Sequence, residues 1–585
     1  MLVPDISFVT TEAGKLWRHR IDLFVPIWSA ATLVFALLAA VVVPRRRAEG
    51  VAEAGARALR ITPRHARLLG IVFFLLACYV AFLLSGDDFT YYDNSMFTLG
   101  TLAGHPIAPP IWPDLDRFFP LAFAEYNVLR HFTRSAIGYH ALHILYLFLL
   151  SLIMLSLDRS CPVKARAGML GLLLVTPSIV ISFSGLIYPE WSEVFWLLCA
   201  IWCIDRFERG PSLGWAMMSV VCAQIMLYYK ETAFLLLLGF SIGRLLFRRY
   251  RGRQAGADSD KGSASGWRID AFLLLLVTAF LLYYLAAMYP AYGAEYASRF
   301  RVPLPQVIAM DLKIDLLAWV LFGVTIVRVV QVLRRRQEPD VFWDGLALGG
   351  VTCFAGYLYL RLQSAYYFAP VDVIAILYLG RRIVRSWDGL GAAARGAVAV
   401  LLIVVTAQSV SLSAFRMYEK DNVVGAKAAI ARQVKQLVQG SIGQNEAHIF
   451  FPYANATQIM EFSAYLTYLG VAVERDDAAG KSVMVYGKAV AREGRCVFSR
   501  VILCHPQDSA KPGDLIVSLP DDVPPAGGET LDRSPNLESL FSYQPQPAMP
   551  EWLLRHLAFL RVVSPVFFNR PLPATFLHGS VGRQL

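Results

Sequence analysis

The sequence predicts a polytopic α-helical membrane protein: a bundle of about twelve transmembrane helices over residues 1–413, followed by an external α/β domain over 414–585. Three observations carry this. The composition is 56% hydrophobic and 17% charged, against roughly a quarter charged in soluble domains. Lys and Arg collect in alternate loops. Beyond residue 414, short apolar runs replace the long ones.

A bilayer-crossing helix needs about 20 mostly apolar residues. Runs of that kind lie at 21–43, 68–85, 137–157, 168–187, 213–229, 232–247, 270–289, 314–333, 342–360 and 396–413, with shorter ones at 190–204 and 366–380. The loops 44–67, 158–167, 205–212, 244–268, 334–340 and 381–395 hold 26 Lys and Arg, and the intervening loops hold 8. The positive-inside rule makes the first set cytoplasmic. The net charge of +11 therefore reads as lipid anchoring, as at Arg45-Arg46-Arg47, and no nucleic-acid partner is expected. Segment 21–43 is followed by those three arginines, a stop-transfer pattern, so it reads as a retained helix with its N-terminus outside. The cell would be bacterial, the membrane its inner one, and the tail periplasmic.

The external loop 86–136 is too polar to span and too patterned to be featureless. Its segment 106–132 mixes proline turns with aromatic and aliphatic residues, as an interfacial helix in the headgroup plane would. In the tail, 418–439 has amphipathic helical spacing, with Val424, Ala428, Ala431, Val434, Leu437 and Val438 on one side. The runs 447–451, 483–486, 500–504 and 514–519 read as strands, and 456–470 as a helix between them. Six cysteines in or beside spans behave as small apolar residues. Cys496 and Cys504 in the tail are a permitted disulfide pair.

The unusual polar residues gather in the external loops. In 85-SGDDFTYYDNSMFTLG-100, Asp87 and Asp88 end the second span. Glu190 and Glu193 sit in 188-YPEWSE-193, and Lys230 and Glu231 in 228-YYKET-232. Arg361 opens the loop of 360-LRLQSAYYF-368, while Arg117 and Glu125 lie in the long loop. Bland alternatives stand beside each: Glu190 and Glu193 could cap a helix N-terminus, and Lys230-Glu231 could be a local ion pair. His140 and His143, a turn apart, suit metal binding or simple packing.

Carboxylates, cations and aromatics at this level fit sugar transfer from a lipid phosphate. Such a phosphate leaves without a proton, so one carboxylate suffices as general base on the acceptor hydroxyl. Arg361 or Lys230 would hold the departing phosphate. Asp87 and Asp88 point oppositely in an extended loop, so one would be the base and the other would orient the loop or bind a divalent cation.

On these residues the chain resembles the GT-C glycosyltransferases, particularly the branch of the protein O-mannosyltransferases and the lipid A aminoarabinose transferase. The features are the acidic pair Asp87-Asp88 opening the first long external loop, the Lys230-Glu231 turn, Arg361 with Tyr366-Tyr367, and the external C-terminal domain. The resemblance implies an inverting transferase taking its sugar from a polyprenyl phosphate donor to a glycan, lipid or protein acceptor. It makes Asp87 or Asp88 the base and Arg361 a phosphate contact. One span precedes the one that usually opens the family's bundle. Two rival readings are a transporter or flippase of lipid-linked glycans, with charges deep inside the spans, and a non-catalytic membrane assembly protein.

Overall fold

A computed structural model describes residues 117–158, 160–210, 212–255, 264–288, 302–362 and 364–440. It also describes six strands beyond them and scattered residues before 117 and between 462 and 471. Asp87 and Asp88, most of the runs 21–43 and 68–85, and Cys496 lie outside the described residues.

The chain enters with a two-stranded hairpin, β1 (Ile111–Trp112) against β2 (Arg117–Phe118), and a short helix α1 (Ala124–Leu129). The bundle follows: α2 (Ala136–Ser156), α3 (Val163–Leu174), α4 (Pro177–Ser184), α5 (Glu190–Arg209), α6 (Leu213–Tyr229), α7 (Ala233–Ala255) and α8 (Ala264–Met288). It continues with α9 (Leu304–Ile314), α10 (Leu316–Leu333), α11 (Val341–Leu360), α12 (Ala369–Ser386) and α13 (Ala392–Gly440).

Among the described residues, five helical stretches are long and apolar enough to cross a membrane: α2, 267–285 of α8, α10, α11 and 392–414 of α13. The pair α3 and α4, bent by 61°, makes up to six. The chain is thus a helical protein with several membrane-spanning candidates; of the twelve runs expected, those at 21–43 and 68–85 lie mostly outside the described residues. The predicted runs at 190–204, 213–229, 232–247 and 366–380 do form helices, but α6 is short and α5, α7 and α12 carry charge. Part of that charge is paired inside the bundle. At one end, buried Arg244 on α7 meets Asp270 at 2.6 Å and also contacts Glu208. Arg328 on α10 meets Asp344 at 2.9 Å, and Arg381 on α12 reaches both Asp158 and Asp340.

One predicted span, 168–187, is bent, and another, 314–333, begins two residues late. Pro177 cannot supply the backbone N–H that would continue α3, so the chain bends after Val175 and restarts as α4. Asp315 separates α9 from the span α10: its carboxylate accepts from Ala318 N at 3.0 Å and caps that helix. Gln408 bridges this junction, accepting from Leu316 N and donating to the carbonyls of Leu312 and Lys313.

The tightest helix pair is α7 with α11. Gly239 and Gly243 on one face Gly345 and Gly349 on the other, each pair one helical turn apart. A Cβ on Gly349 would stand 2.8 Å from the Leu236 carbonyl, and one on Gly239 would stand 2.9 Å from the Leu348 carbonyl. Small residues at this spacing let helix backbones approach within a membrane.

The span at 396–413 and the amphipathic stretch at 418–439 form one helix of 49 residues, about 73 Å at the usual rise. Ser413 ties it to the bundle by donating to Val175 O at 2.7 Å. Farther on, Val424, Ala428, Ala431, Val434 and Val438 enter a second apolar cluster with Ile449, Phe462, Leu466, Leu515 and Val517. Strands β3 (Glu446–Phe450), β4 (Ala472–Arg475), β5 (Arg500–Cys504), β6 (Leu515–Ser518), β7 (Leu537–Ser542) and β8 (Ser580–Gln584) form one sheet in the order β4-β5-β3-β6-β8-β7. The first four are parallel and β8 and β7 antiparallel, an α/β arrangement. The run at 483–486 lies outside the described residues.

Candidate functional site

Four segments distant in sequence meet in one cluster. They are the hairpin exit at 117–126, the start of α5, the turn between α6 and α7, and the loop after α11. Leu121 N donates to Tyr228 O at 3.1 Å, stitching the long loop to the end of α6. In the segment 106–132, expected as an interfacial helix, the described residues form a hairpin and a six-residue helix, with Phe118 and Tyr126 fully buried and Val128 and Phe132 exposed. Phe118, Phe119, Phe123 and Tyr126 are anchors for the interior, and Phe132 alone of the described phenylalanines in this segment faces outward.

Six of the residues singled out in the sequence meet here. Lys230 Nζ lies 2.7 Å from the Glu190 carboxylate, and both side chains are buried. The same ammonium lies over the rings of Phe119 and Tyr367, 4.5 and 4.8 Å from their centroids. Two aromatic faces and one carboxylate compensate a charge cut off from water. Burial disfavours the charged lysine, but Glu190, then Tyr367 and Glu231, hold its pKa above the ordinary value. Arg117 lies 3.6 Å from Glu231 and donates to Tyr367 OH at 3.4 Å. Tyr367 therefore joins the two cations.

Glu125 forms the adjoining edge. It accepts from Ser192 Oγ at 3.2 Å, from Tyr146 OH at 3.5 Å and, most closely, from Tyr229 OH. Burial pushes its carboxyl above the usual range, against the pull of these hydroxyls. Glu193 is fully buried, and neither of its carboxylate oxygens has a hydrogen-bond partner among the described residues. Four carboxylates against two cations leave the cluster with excess acid, which calls for protons or a positively charged or hydroxylic ligand.

Arg361 is the C-cap of α11, in the left-handed conformation at φ 56°, four residues before the 3-10 turn Ala365–Phe368. Phe123, the N-cap of α1 two residues before Glu125, has φ 66°. Non-glycine residues rarely adopt this region, and such strain tends to persist where a site over-determines the backbone. Tyr366, on that turn, stacks on Tyr188 with centroids 4.5 Å apart, closing the wall between the α5 start and the α11 loop.

Sequence reasoning missed Tyr146, Tyr229, Ser192 and Phe119. A signal existed for Tyr146: its phenol stands midway along an apolar helix and needs a partner. His143 takes the packed alternative, with Nδ1 donating to Phe183 O at 2.9 Å and its ring 4.4 Å from that of Trp191. Among the described residues, no three His, Cys, Asp or Glu groups are placed to hold a metal ion.

The cluster is also deeper than the loops alone suggested. Tyr146 is ten residues into the 21-residue helix α2, about 15 Å from its start. The chain matches no protein-family model and no curated protein.

Proposed function

We propose that the protein is an inverting membrane glycosyltransferase. It moves a sugar from a polyprenyl phosphate donor to a hydroxyl of a cell-envelope glycan, lipid or protein. The observation that carries this reading is the convergence of Lys230, Arg117, Glu125, Glu190, Glu193 and Glu231, from four segments, between aromatic walls. The cations face the excess negative charge of a departing phosphate, with Lys230 exchanging Glu190 for the phosphate as charge develops. Asp87 or Asp88 takes the proton of the attacking hydroxyl. A divalent cation, where required, would sit on that acidic pair. Arg361 is the third phosphate contact in this scheme. The membrane is a bacterial inner membrane, with the tail domain on its periplasmic side.

One observation favours a second reading. Buried charge about 15 Å down a spanning helix is also what a carrier of lipid-linked glycans would place along its path. The two readings separate in one assay. Purified protein in liposomes is given radiolabelled polyprenyl phosphate sugars, and the wild type is compared with Asp87→Asn and Asp88→Asn, with and without chelator. Loss of transfer in one variant that still inserts normally supports the carboxylate base, and the chelator arm reads the metal. Full transfer by both variants rejects it.

A further inference from the structure

A second polar cavity lies at the near end of α2, away from the carboxylate cluster. Gly104, Arg130, His131, Phe132, Thr133 and Arg134 line an open groove of about 310 Å³. Two arginines and a histidine converge on it, and no carboxylate is among its lining residues. Arg130 is half-buried and fixed: Nε donates to Asn127 O and Nη1 to Gly104 O, both at 3.1 Å. Arg134 makes no hydrogen bond or ion pair with any described residue. Its guanidinium lies over Gly104, which has φ +89°; a Cβ there would stand 3.1 Å from the guanidinium carbon. Glycine thus leaves the space in which the planar fork rests.

The surroundings of the groove are apolar. Phe132 is 81% exposed, Val128 62% and Ile137 50%. Below them, Leu145, Phe148, Leu149 and Leu152 continue an exposed apolar stripe down α2. Basic groups at the end of such a stripe, with an exposed aromatic among them, occupy the level of lipid headgroups. Planar guanidinium forks match phosphate oxygens, and a cavity with no acid of its own keeps their charge available.

We propose that this groove binds a phosphate group, gripped by Arg134 and Arg130, with Phe132 and Val128 resting in the adjoining acyl region. An anionic phospholipid headgroup and a free phosphate ion offer the same chemistry. The groove is separate from the transfer site: its residues precede the first turn of α2, whereas Glu125 meets that helix at Tyr146.

The test uses the full chain. In one arm, nanodiscs of equimolar phosphatidylcholine and phosphatidylglycerol hold the protein, and native mass spectrometry counts the phospholipids retained on release. In the other, inorganic phosphate is titrated calorimetrically into detergent-solubilised protein. Both compare the wild type with Arg134→Gln, Arg134→Lys and the double variant R130Q/R134Q. Because Arg134 makes no hydrogen bond or ion pair with any described residue, R134Q removes charge without breaking one, and a melting curve of each variant checks the fold. Retention of phosphatidylglycerol about tenfold weaker in R134Q, and partly restored in R134K, supports the site with a lipid as its source. Saturable phosphate binding lost in R134Q, without phosphatidylglycerol enrichment, supports it with the free ion. Neither enrichment nor phosphate binding in the wild type, or either one unchanged in the double variant, overturns it.

Discussion

At the scale of single residues, the Lys230–Glu190 pair is the most exacting feature of the molecule. Both groups are out of water and 2.7 Å apart, so each depends on the other. Lys230→Met should strip Glu190 of its cation and cost about 3–5 kcal/mol of stability, most of which the added change Glu190→Gln should return. A double-mutant cycle of thermal midpoints in detergent measures this. Additive losses would mean that the two groups are not paired. Much of this pair was legible beforehand: 188-YPEWSE-193 and 228-YYKET-232 stand out as charge in an apolar chain. Their meeting was not, because nothing in either segment encodes which of the other turns it will face. Glu125 shows the same limit. It looked like one acid in a loop helix, and its hydroxyl partners come from three helices.

Elements tell a related story. Helix positions follow hydropathy closely, yet the breaks at Pro177 and Asp315 and the continuity of α13 depend on local chemistry and on packing. The glycines of α7 and α11 could have been found from their four-residue spacing; their facing could not. Gly349→Ala should force the Leu236 carbonyl away and lower stability by about 1–3 kcal/mol, whereas alanine at Gly323, with open space around it, should be nearly neutral. Paired melting curves check this; equal effects would deny the close contact. Helix α9 carries a pH-dependent element. Asp311 is buried with no hydrogen-bond partner among the described residues, and burial, reinforced by Asp315, pushes its carboxyl from 3.8 to about 7. The folded state therefore keeps a proton that the unfolded chain releases, so stability should fall as pH rises from about 4 to about 7. Asp311→Asn should flatten that slope and melt higher than wild type at pH 8. A variant with the wild-type slope would place the titration elsewhere.

For the whole molecule, the buried ion pairs collect in two places. The arginine ion pairs of Arg244, Arg328 and Arg381 lie at one end, and the Lys230 cluster lies toward the other. Among the described residues, α5, α7 and α12 carry charge and α6 is short, so these four of the twelve expected runs form helices without meeting the length and hydropathy of a membrane span. Covalent transfer at the Lys230 cluster, as proposed, is the property that separates the two readings. It is tested most directly by asking, in sealed liposomes holding purified protein, whether label on a polyprenyl phosphate sugar leaves its phosphate or crosses the bilayer still attached. The account predicts cleavage, with free polyprenyl phosphate formed in step with glycosylated acceptor and lost in Lys230→Met. Label that crosses intact, with no free polyprenyl phosphate, would contradict the transferase and make the cluster part of a transport path.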